Sequence, residues 1–217
     1  MSWAAYQTLL AGAVTTAALS FCGIALGLPL GLALALIRWG RVPVANIAVA
    51  VYVSLVRSTP LVTFTLFIFF VLPGVGLELE PIPAAILALT LNTAAFNCEI
   101  WRAGLLSFPR DQIEAGRACG MTSPVLFRRI VLPQLWRSSV GPLANEMTAM
   151  LKGTPAVAVI GVVEITRAAS RIGAATYEPL PPFLAATIIY TLLVAVIVHG
   201  QHIIERIIAR RYGYAAA

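Results

Sequence analysis

The chain has 217 residues, of which 59% are hydrophobic and only 11% charged; 15 Lys and Arg against 9 Asp and Glu leave a net charge of +6. Mean hydropathy is +0.89, and so few charges cannot cover a water-soluble domain, where about 25% is usual. A soluble enzyme is excluded, and a basic excess set among long uncharged runs points to a membrane rather than to nucleic acid.

A helix needs about 20 apolar residues to cross the hydrocarbon core. Leu9–Ile37 is the first such run, too long for the apolar core of a signal peptide and with no basic stretch before it, so it reads as a retained helix. Val42–Val56 is apolar but bracketed by Arg41 and Arg57, and reads as a short segment leading into a second span, Ser58–Leu77, which Pro73-Gly74 ends. Pro81–Cys98 is the third run, continuing to about Leu106. Ser138–Val163 carries Glu146 and Lys152 and is the weaker fourth; Pro179–Ile204, with His199 and His202, is the fifth. The expected fold is all-α, an integral membrane bundle of five transmembrane helices forming a single domain over 1–217. With the N-terminus outside and the C-terminus inside, twelve of the fifteen basic residues collect on the cytoplasmic side, Arg38, Arg41 and Arg57 among them, whereas Arg167 and Arg171 fall outside and Lys152 within a span. The cysteines, Cys22, Cys98 and Cys119, form no CxxC and read as buried free thiols.

Between the third and fourth spans lies the longest polar stretch, 107–137. Asp111–Cys119 has good helix formers with an acid near its start, which suits the helix dipole. Gly120 ends that helix, Thr122-Ser123-Pro124 starts a second one to about Val131, and Pro133 stops it. The expected product is a cytoplasmic helix-turn-helix with Ile113, Met121, Val125 and Leu126 as apolar knobs: a solvated connector or a docking site for a cytosolic partner. A DNA-binding role is set aside, because the element is tethered to the membrane at both ends and mixes Asp111 and Glu114 with its arginines.

Glu114-Ala115-Gly116, then Gly120, then Ile130-x-Leu132-Pro133 resembles the EAA loop of importer permeases in the ATP-binding cassette family, with Gly116 in place of the second alanine. More of the chain resembles the polar amino acid permeases of the histidine, arginine and glutamine uptake type: Arg57-Ser58-Thr59-Pro60-Leu61, Glu99-Ile100-Trp101-Arg102-Ala103-Gly104, and Leu151-Lys152-Gly153-Thr154 followed by Ile160-Gly161-Val162-Val163-Glu164. Pro155 stands where that family commonly has Ser. The resemblance implies a multi-pass protein of the bacterial cytoplasmic (inner) membrane, whose loop sits in a cleft of a cytosolic ATPase dimer. It also implies a second permease subunit, copy or paralogue, and an external or periplasmic amino-acid-binding protein. ATP and Mg would be bound by the ATPase partner and no cofactor by this chain. The residues agree on one point: a phosphate-binding loop requires Gly-Lys-Ser/Thr, and the only lysine, Lys152, follows Leu151 and precedes Gly153.

A charge at membrane depth costs about 2.5–3.5 kcal/mol on insertion scales, so each asks for a reason. Glu146 lies roughly 13 Å and Lys152 roughly 22 Å past Arg137 at 1.5 Å per residue, and six residues of spacing keep them off one helical stripe. Gly153-Thr154-Pro155 interrupts the helix between them and Glu164, and interrupted backbone at mid-membrane is how transporters expose polar groups to substrate. Glu146, Glu164, Asn92, Asn97, Asn145 and Lys152 are the candidate substrate-path residues, with interhelical glue the alternative for Glu146, an interfacial acid for Glu164, and helix-packing hydrogen bonds for Asn92 and Asn97. A secondary transporter or channel for small polar solutes is the rival class, against which stands the lack of correspondence between the halves of the chain. An intramembrane hydrolase would need a Gly-x-Ser-x-Gly setting that the spans do not have.

Overall fold

The computed structural model describes residues 2–40 and 43–212, with side chains to residue 207. Arg41, and the side chains of Arg210 and Arg211, lie outside that set. The helices run α1 (Trp3–Trp39), α2 (Pro43–Ser58), α3 (Leu61–Val71, prolonged by a 3-10 turn to Val75), α4 (Pro81–Leu106), α5 (Arg110–Ala118), α6 (Ser123–Leu126), α7 (Leu132–Gly153), α8 (Ile165–Thr176) and α9 (Leu180–Tyr212). By length and composition α1, α4 and α9 can each cross a membrane alone. The α2–α3 pair, bent by 116°, and the α6–α7 stretch with α8, bent by 55°, complete five if each is one span.

α4 is the axis of the bundle. Its apolar window is 61% buried, against 28% for α1 and 11% for α9, so α4 is walled by protein while α9 offers most of its surface to lipid. The α1–α4 seam is set by glycine. A Cβ on Gly23, Gly27 or Gly31 would come within 3.1 Å, 2.7 Å and 2.8 Å of the Cβ atoms of Leu89, Thr93 and Asn97. Without a hydrophobic drive between helices in lipid, such close backbone approach supplies the packing. The register rises by about four residues on both helices together, so α1 and α4 run parallel. α7 runs the other way: Gly104 lies against Leu135 and Ser139, whereas Met150 meets Gly23. α9 turns back along α7, with Gly200 and Ile204 beside Val140 and Leu143. α1 and α9 therefore share a sense, and the two ends of the bundle lie on opposite faces.

Three features differ from the sequence expectations. The lead-in to the second span is a 16-residue helix, α2 (Pro43–Ser58), bent away from α3 at Thr59-Pro60, because the residue before a proline is pushed out of the helical region. Pro133 does not stop a helix. It occupies the first turn of α7, where its missing N–H costs nothing, and a π turn over Phe127–Val131 joins α6 to α7. The outer connection after Glu164 is itself a helix, α8, which the sequence reading treated as loop. The break at Gly153-Thr154-Pro155 is present as a 3-10 run, Thr154–Ile160, closed by Gly161 in the left-handed region at φ 101°. Cys119 is exposed at the end of α5, Cys22 is half-buried and Cys98 is buried.

Candidate functional site

The 107–137 element divides its motif residues into two sets. Glu114, Ala115 and Gly120 are exposed, on α5 and the turn that follows it. Gly120 has φ +75° with nothing within 4 Å of its built Cβ, a turn that glycine adopts without steric cost. Gly116 is buried, Ile130 packs against the core, and Leu132 and Pro133 are half-buried. A Cβ on Gly116 would lie 2.9 Å from Leu126 Cδ1; the glycine lets α6 close onto α5 and is not part of the outer surface. Among the expected apolar knobs Leu126 is buried, Ile113 and Met121 pack on the inner core with it, and only Val125 stays exposed. The element is thus a packed unit whose free face is polar and small.

Above it, within the bundle, a cavity of about 660 Å³ opens between α4, α7 and the end of α2, with Arg57, Glu99, Ser138, Ser139 and Glu146 among its walls. Arg57 is a correction. Its guanidinium stands 5.3 Å over the Phe96 ring, and Phe96 lies about 15 Å along α4 from Leu106. Arg57, though exposed, therefore stands at the depth of the spans rather than in the inner loop, which takes one residue from the twelve. Glu99, quoted at first only as part of a motif, is held by Arg38 of α1 and, two-pronged, by Arg102, whose Nε and Nη2 donate to Oε2 at 2.9 Å and 2.6 Å. Glu146 is half-buried in the cavity wall and accepts no hydrogen bond that could explain it as glue among the described residues. On the same helix Asn145 and Lys152 are exposed, seven residues apart and so on one face. Gly153 meets Leu61 at the start of α3, which brings the break of the second span against the break of the fourth.

The other candidates sit elsewhere. Asn97 is buried against Gly31 in the α1–α4 seam, with both amide atoms lacking a partner, and Asn92 is buried on α4 five residues earlier, on a different face of the helix. Glu164 is fully buried and saturated: it accepts from the backbone N–H of Thr166 (2.8 Å) and Arg167 (2.6 Å), capping α8, and from the Tyr190 hydroxyl (2.7 Å). Arg167 in turn donates to the Ala158 carbonyl, closing the 3-10 run. His202 lies 3.4 Å from Glu205. The sequence reading missed Arg57 and Glu99 as cavity residues; the signal for Glu99 was a lone acid inside an otherwise apolar run.

Residues 27–212 match the family described as binding-protein-dependent transport system inner membrane component. The chain is 36% identical to an L-cystine transport system permease protein of Bacillus subtilis (93% of this chain, 86% of that one). It is 39% identical to an octopine transport system permease protein of Rhizobium meliloti (87% and 80%), and 32% identical to a glutamine transport system permease protein of Escherichia coli (90% and 90%). Among solved structures it resembles an amino acid ABC transporter crystallised with histidines, at TM-score 0.84 and 29% identity over 93% of this chain and 94% of that one. It also resembles an inward-facing methionine ABC transporter, at TM-score 0.74 and 25% identity over 95% and 98%. Shared sequence over nearly the whole length, and one helix arrangement, place this chain in the family of binding-protein-dependent transport system inner membrane components.

Proposed function

We propose that the chain is the transmembrane subunit of an ATP-driven importer for a polar amino acid, cationic or zwitterionic, and that it hydrolyses no ATP itself. Two cytosolic ATPase subunits bind ATP and Mg and receive the exposed Glu114-Ala115 face and the Gly120 turn, while the packed Gly116, Ile130, Leu132 and Pro133 keep that face in shape. An external or periplasmic binding protein delivers substrate, as the family description implies.

The observation that carries this reading is the meeting of Arg57, Glu99 and Glu146 around one membrane-depth cavity, beside the two broken spans. Arg57 offers a guanidinium to a substrate carboxylate, and Glu146 a carboxylate to a substrate ammonium or guanidinium. Asn145 and Lys152 continue the polar face outward. Polar side chains exposed at that depth cannot face hydrocarbon, so a second permease, copy or paralogue, covers them and encloses the path. Asn97 supports the path from behind, packed against Gly31 where α4 meets α1, and Glu164 supports it by capping α8 and tying its start to Tyr190 of α9.

The test is substrate-stimulated ATPase activity of the reconstituted complex. One charge-assisted hydrogen bond is worth about 1.5–3 kcal/mol, so Glu146→Gln should raise the substrate concentration for half-maximal stimulation roughly 10- to 150-fold while assembly persists. Assembled complexes of both Glu146→Gln and Arg57→Gln with unchanged substrate dependence would move the path elsewhere.

A further inference from the structure

A second cavity, of about 510 Å³, lies at the other side of the Glu99 ion-pair cluster. Its walls come from the end of α1 (Arg38, Trp39), the end of α4 (Arg102, Leu105, Leu106), the start of α5 (Arg110) and Asn46 of α2. Among the described residues three arginines line it and no acid does. Glu99 takes Arg38 and Arg102 from behind, which neutralises one charge and leaves the cavity with an excess of two. Arg38 keeps a buried Nε with no hydrogen-bond partner, and Arg110 is exposed with no ion pair among the described residues. α5 also begins here, and its cap residue Pro109 satisfies none of the first N–H groups through a side chain, so the positive end of the helix dipole adds to the field. Asp111, in that first turn, is outside the lining.

The remaining wall is apolar. Leu105 and Phe108 are buried, Leu106 is 62% exposed, and Trp39, where α1 ends, is half-buried with its ring 6.1 Å from that of Phe127. A cationic floor with an apolar rim at the ends of two membrane-spanning helices fits a molecule with an anionic head and a hydrocarbon body. It does not fit a free hydrophilic solute.

We propose that this cavity binds the phosphate diester of an anionic phospholipid from the cytoplasmic leaflet, with Arg38, Arg102 and Arg110 around the phosphate, Asn46 donating to it, and Leu106 along the first acyl carbons. The site shares Arg38 and Arg102 with the pair that restrains Glu99 of the path, so lipid occupancy and the inner wall of the path are linked through one carboxylate. Anionic lipid contributes about a fivefold gain in binding per basic residue near the surface.

Lipid retention tests this independently of transport. The intact complex, equilibrated in phosphatidylcholine with added phosphatidylglycerol, should retain phosphatidylglycerol through detergent exchange, read by native mass spectrometry. Arg38→Gln should lower that retention about fivefold. Asn46→Trp, which fills the cavity without changing charge, should abolish it, so that a folding defect in the arginine variant does not decide the matter. Inorganic phosphate added to a phosphatidylcholine-only sample should give no thermal stabilisation where phosphatidylglycerol does. Equal retention by wild type and both variants overturns the proposal, as does stabilisation by inorganic phosphate alone. A photo-crosslinking residue at Asn46 that captures the ATPase subunit in place of lipid overturns it too, because the cavity would then be docking surface.

Discussion

Glu164 shows how far a residue's identity stands from its task. A carboxylate beside a mid-membrane break reads as a substrate ligand, yet its oxygens are consumed by two backbone N–H groups and the Tyr190 hydroxyl. Glu164→Gln would present an amide to those donors. Loss of an N-cap costs about 1 kcal/mol, and a buried donor left unpaired about 1–3 kcal/mol more. The expected outcome is a lower melting temperature for the assembled importer with the half-maximal substrate concentration unchanged; a shifted substrate dependence at normal stability would put Glu164 on the path. Glu146 was legible from sequence because its depth follows from counting residues past Arg137. The burial of Asn97 against Gly31 was not, since it depends on which face of α4 meets α1.

On the scale of elements, the 107–137 unit gains its shape from two glycines with unlike duties. Gly116 yields space to Leu126, and Gly120 supplies a left-handed turn. A non-glycine residue in that region costs roughly 1–2 kcal/mol. Gly120→Ala therefore adds strain alone, and Gly120→Arg adds strain and bulk on the exposed face. We expect Gly120→Ala to retain most uptake. Gly120→Arg should abolish uptake and free the ATPase from substrate control while membrane insertion continues. Normal uptake by Gly120→Arg would remove this turn from the coupling surface. The spacing of the motif was readable in the chain; the split between exposed and packed members was not, because α5, α6 and the π turn must pack before either side is defined.

The whole molecule adds a check on topology that no single span provides. α1 and α4 run parallel through their glycine seam, α7 opposes them and α9 returns, so the ends face opposite sides and the number of crossings is odd. Arginine placement then chooses which side is cytoplasmic. In a Cys119→Ser background, needed because Cys119 is exposed, cysteines at Glu78 and Glu178 should react with an impermeant reagent from outside. Those at Arg110 and Arg211 should react only after permeabilisation. Outside labelling at Arg110 would invert the bundle.

What the sequence alone determined was the membrane, the helical class, the break after Lys152 and the family motif between Glu114 and Pro133, because each depends on local composition or spacing: apolar run length, a Gly-Thr-Pro interruption, a fixed interval from Glu114 to Pro133. What only the tertiary structure decided was partnership. Arg57 left the inner loop for the Phe96 ring, Glu99 became the knot between Arg38 and Arg102, and Pro133 started a helix instead of ending one. These depend on contacts between residues far apart in the chain, and one chain's order of residues does not specify which helix faces meet until glycine-lined surfaces close to within a few ångströms.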